Sequence, residues 1–179
     1  LGATIDDAIG EAFDKVASIL GLGHPGGPII DRLALEGDDH AHDFPISTLD
    51  RDSLDFSFSG VKTSVLYTVR GQPQRGAGKG HGAAFERDHT DLSASQKADV
   101  AASFQRAAVG AIVAKVGRAL DQWEGAARAS LIVGGGVAAS SRLRHDLAHL
   151  AVERRIELRL PPMALCLDNA AMIAGLAYH

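Results

Sequence analysis

Three consecutive glycines, Gly134-Gly135-Gly136, stand between a short apolar run, Ser130-Leu-Ile-Val133, and a helical pattern that begins at Ser141. Backbone N–H groups at a glycine turn ahead of a helix form a natural phosphate site, because no Cβ keeps the anion off the main chain. A tight strand-to-helix turn without a ligand has the same form. The segment also fits G-x-G-x-x-A, with Glu157 at about the spacing of a ribose-binding acid. Glu157 falls near the start of its strand and not at the carboxyl end, which argues against a dinucleotide site.

Other residues could carry chemistry. Asp168-Asn169 follows Pro161-Pro162 and opens the last helical stretch. A carboxylate there could bind a metal or position a nucleotide, or serve only as an N-cap. His145 and His149 have zinc-ligand spacing, with Asp146 where a zinc peptidase carries its glutamate. Arg142 and Arg144 flank them on the polar face, so a solvated pair is the simpler reading. His40, His42, His81 and His89 lie in loops without ligand spacing. Asp6, Asp7 and Glu11 suit the dipole at a helix start. Asp14 sits nearly two turns in, beside Phe13, where it could point from the core edge into a cleft. The nearby Gly23-His-Pro-Gly-Gly-Pro28 would let a ligand reach the backbone. Lys62 reads either as an anion contact or as a solvent-facing lysine.

The elements that must position these residues follow from periodicity. Asp6–Leu20 reads as a helix, with Thr4 and Asp6 as cap types and Ile9, Phe13, Val16, Ala17 and Leu20 on one apolar stripe. A short helix over Ile29–Leu35 is expected next, with Pro28 in its first turn. Leu54–Ser59 alternates as a half-buried strand would, and Val61–Val69 reads as helix. Residues 71–97 are glycine-rich at the start, poor in large apolar side chains, and read as a mobile loop. The loop's end carries a capping-box spacing, Ser93 to Gln96. Asp99–Gln122 shows the strongest periodicity, with Val100, Phe104, Ala108, Ile112, Val116 and Leu120 every four residues, and Val109 and Val113 widening the stripe into a central core helix. The last third reads as strand 130–133, helix 141–153, strand 155–160, parallel to the first by the crossover rule, and helix 168–178 with Asp168 at its N-cap.

Composition bounds the function classes. The chain has 179 residues, 46% apolar and 22% charged, with a net charge of −4, which excludes a strongly basic nucleic-acid module and wholesale disorder. One cysteine, Cys166, leaves no internal disulfide and points to a reducing, cytoplasmic setting. No apolar run is long enough to span a bilayer, so no membrane role is expected. The chain starts Leu1-Gly2-Ala3-Thr4 without methionine and enters a helix almost at once, so a piece of something longer is expected.

Six motifs, in order, resemble one family. Ile5–Lys15, Pro25-Gly-Gly-Pro28, Leu54-Asp-Phe-Ser-Phe-Ser-Gly-Val-Lys-Thr63, Ala101-Ala-Ser-Phe-Gln105, Gly135-Gly-Val-Ala138 and Asp168-Asn-Ala-Ala-Met-Ile-Ala174 are similar to the TsaD family, formerly called O-sialoglycoprotein endopeptidase or glycoprotease. The similarity covers nearly the whole chain except residues 71–97. It implies an α/β, helix-rich part of an actin-like, sugar-kinase-like ATPase (ribonuclease H-like) fold, without the first domain and initial strands. It implies transfer of a threonylcarbamoyl group from threonylcarbamoyl-adenylate, an ATP-type nucleotide, to N6 of the adenine 3′ of the anticodon in tRNA. TsaB-like and TsaE-like accessory proteins are the implied partners. The resemblance maps nucleotide binding onto Asp14, Gly27, Gly135 and Gly136, and one ligand of an iron or zinc ion onto Asp168.

Two departures follow. The family's Gly-Gly-Val-x-Ala-Asn ends here in Ser140, which can hydrogen-bond but has a shorter reach. The family's metal-binding HxxxH pair is absent, and His145–His149 is not that pair. The chain thus resembles the C-terminal half of the enzyme and is expected to be inactive alone. Arg142, Arg144, Arg154 and Arg155 could hold tRNA phosphates or be ordinary surface arginines. A metal-dependent endopeptidase and a non-catalytic nucleotide-binding or interaction module are the competing functions. A half core would leave apolar surface on 131–133 or on helix 99–122, so a homo-oligomer through that face is a further expectation.

Overall fold

The structure is a computed structural model and describes residues 2–47, 49–50, 52–73, 85–123 and 130–178. Helices dominate. In chain order the elements are α1 (Ile9–Ile19), α2 (Gly26–Leu33), α3 (Ser59–Arg70), α4 (Ala94–Asp121), β1 (Ser130–Ile132), α5 (Ser141–Arg154), β2 (Glu157–Arg159) and α6 (Ala170–Tyr178). β1 and β2 form a two-stranded parallel sheet with Leu131 opposite Leu158.

α4 organises the chain. Its 28 residues begin at the expected capping box, in which Ser93 accepts from the Gln96 N–H and Gln96 accepts from the Ser93 N–H. One side of α4 supplies Val100, Phe104 and Ala108 to a core shared with α1, α2 and α3. Further along, Val109, Val113, Val116 and Leu120 meet Leu143, Leu147 and Leu150 of α5, together with Leu131 and Leu158 of the sheet. α4 therefore does not carry the expected bare apolar face. Exposed apolar side chains lie instead on β1, at Ile132, and along α6, at Met172, Ile173 and Leu176.

Several boundaries differ from the sequence expectations, the first of them because a side chain satisfies a distant backbone group. α1 starts at Ile9 behind Ala8, without a side-chain cap, because Asp6 is used elsewhere. The Asp6 carboxylate accepts from the backbone N–H of Phe58 and from the hydroxyls of Ser57 and Ser59, at the start of α3. With those groups committed, Leu54–Ser59 is not a strand and makes only a parallel bridge between Thr4 and Phe56. α2 starts at Gly26, earlier than Ile29. β2 is shorter than expected because Arg155 ends α5 in the left-handed region, at φ 54°. α6 starts at Ala170, so Asp168 is not its N-cap, and Asn169 accepts the Met172 N–H through its carbonyl. Within 71–97, Pro73 and Phe85 form an antiparallel bridge and a short 3-10 turn covers His89–Asp91. Residues 74–84 of that expected loop lie outside the described residues.

The Asp6 latch sets an acid limit. Partial burial raises its pKa, but hydrogen bonds from Ser57, Ser59 and the Phe58 backbone outweigh this and hold the carboxyl at about 2, below its ordinary 3.8. A depressed folded pKa stabilises the chain above pH 3.8, and that stabilisation is lost as pH falls towards 2. With solvent screening of an exposed carboxylate, the contribution at neutral pH is about 1 kcal/mol. Asp6→Asn should lower stability at pH 6 by that amount and flatten the pH dependence of urea midpoints between pH 4 and pH 2. An unchanged slope would contradict the latch.

Candidate functional site

The α1–α2 crossing and the glycine turn before α5 enclose a cavity of about 620 Å³. Asp14, Gly27, Gly136 and Ser140 all line it, although they are up to 126 positions apart in the chain (140 − 14). Much of the wall is apolar, with Phe13, Pro28, Leu35, Val137, Met163 and Leu167. Polar groups are few and converge, as in small-molecule sites generally.

Asp14 is oriented by its neighbours. Its Oδ1 accepts from the Gly26 N–H at 2.6 Å, which ties α1 to the first residue of α2, and His24 Nδ1 stands 3.5 Å away. Gly26 must be glycine, because a Cβ there would come within 2.7 Å of the Asp14 Cα. Gly27 has no such packing reason: a Cβ there would meet nothing within 4 Å. It lines the cavity, and a side chain there would reach into open space. Gly135 adopts φ +86°, which only glycine takes without strain, and it also opens onto free space. The turn continues as a 3-10 helix, Gly136–Ala139, into the N-cap Ser140.

Ser140 accepts from the Leu143 N–H at 3.3 Å and donates to Asp31 Oδ1 at 3.2 Å. Asp31 is a cavity-lining residue that sequence reasoning passed over. Its carboxylate lines the cavity and accepts from Gln105 Nε2 at 2.6 Å and from the Ser141 N–H at 3.0 Å. It thereby joins α2, α4 and the first turn of α5. Its signal was local: Asp31 lies four residues after Gly27, on the same face of a helix. Arg32 also borders the cavity, and its guanidinium has no hydrogen-bond or ion-pair partner among the described residues.

Other candidates lie elsewhere. Asp168 is exposed and outside the cavity, though its neighbour Leu167 lines it. Among the described residues the one cluster of three ligating groups is Asp38, Asp39 and His40, so Asp168 belongs to no metal cluster. A single exposed carboxylate does not by itself fit an iron or zinc ion. Asp39 in that other cluster already pairs with Arg142 at 2.8 Å. His145 and His149 sit side by side with ring centroids 4.5 Å apart, both exposed, as the solvated reading expects. Lys62 does not face an anion site, because it pairs with Asp7 at 2.6 Å, as does Lys15. Those two ammonium groups hold the Asp7 carboxyl below the usual range.

The arginines suggested for tRNA phosphates are mostly engaged internally. Arg142 bridges Asp39 and Asp146, Arg154 pairs with Asp121, and Arg144 donates to the Ala138 and Pro161 carbonyls. Arg155 is exposed.

The family model described as TsaD, tRNA N6-adenosine threonylcarbamoyltransferase, matches residues 1–175. The chain is similar to proteins named tRNA N6-adenosine threonylcarbamoyltransferase in several bacteria. It is 48% identical to that of Trichlorobacter lovleyi over 99% of this chain and 47% of the relative. It is 44% identical to that of Thermosipho africanus over 99% of this chain and 48% of the relative. For Bordetella pertussis the identity is 47%, over 97% of this chain and 46% of the relative. The chain thus spans about half the length of the curated relatives it matches.

Proposed function

Because the chain belongs to the TsaD family, we propose that it forms the nucleotide-holding part of a tRNA N6-adenosine threonylcarbamoyltransferase with an actin-like, sugar-kinase-like fold. In the family-length protein, the threonylcarbamoyl group passes from threonylcarbamoyl-adenylate to N6 of the adenine 3′ of the anticodon. That amine attacks the activated carbonyl, the bond to the adenylate phosphate breaks, and AMP leaves. A tRNA substrate places the reaction in the cytoplasm. Among the described residues no helix is long and apolar enough to cross a membrane. TsaB-like and TsaE-like proteins are the accessory partners this reading carries with it.

The observation that carries the reading is that one cavity gathers Asp14, Gly27, Gly136 and Ser140 together with the Asp31 carboxylate and an apolar wall. The Asp14 and Asp31 carboxylates are suited to accept hydroxyls of a ribose. The apolar wall suits the face of a base. The main chain at Gly135, beside the cavity, is bare enough for phosphate oxygens to approach, Gly136 lines the cavity under the Leu167 side chain, and Arg32 supplies a positive charge at the rim. Asp168 would be this chain's contribution to a metal ion completed by ligands from outside it, and such an ion would supply Lewis-acid chemistry.

Two experiments test this. AMP titrated calorimetrically into the purified chain should bind, whereas Gly27→Ala should bind about tenfold more weakly. The same substitution should leave stability unchanged or raise it by about 0.5–1 kcal/mol, because alanine is the better helix residue. A folded chain that does not bind AMP, or Gly27→Ala binding like the wild type, contradicts the reading. Second, this chain should replace the matching segment of the Trichlorobacter lovleyi relative and give a chimera that forms threonylcarbamoyladenosine in tRNA. The chain alone should form none. An inactive, well-folded chimera would count against the assignment.

A further inference from the structure

Arg144 lies in the first turn of α5, yet its guanidinium is turned inward. Nε donates to the carbonyl of Ala138 at 2.6 Å, inside the glycine turn. One terminal nitrogen donates to the carbonyl of Pro161 at 2.6 Å and stands 3.2 Å from Sγ of Cys166. Ala138 and Cys166 are both buried. The planar fork of arginine can serve several acceptors at once, which a lysine ammonium on a flexible stem cannot reproduce.

The segment 161–167 has little else to hold it. Its other hydrogen bonds are local: Leu165 N–H to the Pro162 carbonyl, Cys166 N–H to the Met163 carbonyl, the Cys166 thiol to the Pro162 carbonyl, and Asn169 to the Leu167 carbonyl. Among the described residues, Arg144 is its one hydrogen-bonded tie to a distant element. This segment supplies Met163 and Leu167 to the cavity wall and leads directly into Asp168. Leu167 Cδ2 also lies 3.3 Å from where a Cβ of Gly136 would stand, so wall and turn touch.

We propose that Arg144 is a positioning residue: it clamps segment 161–167 onto the glycine turn, so that filling the cavity and placing Asp168 are coupled. The coupling rests on the nucleotide reading of the cavity; the clamp itself does not. Cys166, the chain's only cysteine, is a built-in reporter of whether the clamp is closed.

The test follows the reaction of Cys166 with Ellman's reagent in the full chain from pH 7 to pH 9, with and without AMP, with global stability measured alongside. Wild-type labelling should be slow and slower still with AMP. Arg144→Ala should label about tenfold faster or more at every pH, because local opening exposes the thiol, and AMP should no longer slow it. A pH-independent factor separates access from any change in thiol ionisation. Arg144→Lys should fall between the two, and it carries the same comparison if Arg144→Ala does not fold. Equal labelling of wild type and variant would overturn the clamp. AMP that binds and protects both equally would overturn the coupling. If wild type binds no AMP, the nucleotide reading fails, while the rate difference between wild type and variant still decides the clamp.

Discussion

Phe104→Ala should destabilise the chain by about 3–5 kcal/mol, the largest single effect expected on stability. Phe104 is fully buried on α4, and its ring meets Phe13 edge-on, with centroids 5.0 Å apart at 66°. That contact joins the central helix to α1 one residue before Asp14. Truncation removes the ring's burial and leaves a cavity that helices held on several sides cannot close. An aromatic pair adds about 0.5–1.5 kcal/mol beyond burial, already counted in the range for truncation. For a chain of this size the melting temperature should fall by about 10 °C. Far-ultraviolet circular dichroism during heating and in urea measures both. Val152→Ala on α5 is the control: Val152 is 79% exposed, so its change should be small. A Phe104→Ala variant within 1 kcal/mol of wild type would contradict the packing around α4.

Asp31→Ala carries the second large effect, and it spans stability and binding together. It deprives Gln105, 4% exposed, of its carboxylate partner and leaves Ser140 and the first amide of α5 without theirs. An unmatched buried polar group costs about 1–3 kcal/mol, and loss of capping about 1 kcal/mol more. A total of about 3 kcal/mol is expected in urea denaturation. AMP affinity should fall about 100-fold, equivalent to about 2.7 kcal/mol, because an acceptor and the anchor of the glycine turn disappear at once. Asp31→Asn keeps an acceptor and should recover most of the stability. A variant that loses neither stability nor affinity would remove Asp31 from the site.

These residues differ in how far the sequence exposes them. α4 was legible because a long helix repeats its apolar stripe many times, and only its start lies earlier than the stripe suggests. The glycine turn and the helix after it were legible because glycine and N-cap chemistry act over a few residues. Leu54–Ser59 was not, since its alternation imitates a strand while Asp6, more than fifty positions away, decides its conformation. The sequence places Asp168 at the cap of the last helix, whereas α6 begins at Ala170, a small displacement at a helix end. Asp31 and the inward contacts of Arg144, a residue the sequence places on the polar face, were hidden for a related reason. Their partners are backbone groups, an amide, a hydroxyl and a thiol brought together only by packing, and such groups carry no composition signal. The site residues Asp14, Gly27, Gly136 and Ser140 were named from motifs, but their meeting around one cavity depends on how α1, α2 and α5 lie on α4.

The two apolar clusters that share α4 give the cavity a mechanical character. α1 and α2, carrying Asp14 and Gly27, belong to one cluster; the glycine turn and α5 lean on the other. The cavity is therefore a bite between two jaws mounted on one spine. A guest held there would bridge jaws that otherwise meet through α4, Asp31, the Arg142–Asp39 pair and the contact of α1 with the glycine turn, so its binding energy would be shared with the fold. Such a guest would stabilise both halves in proportion to its occupancy. A change in either jaw, even one remote from the guest, would be felt in the grip.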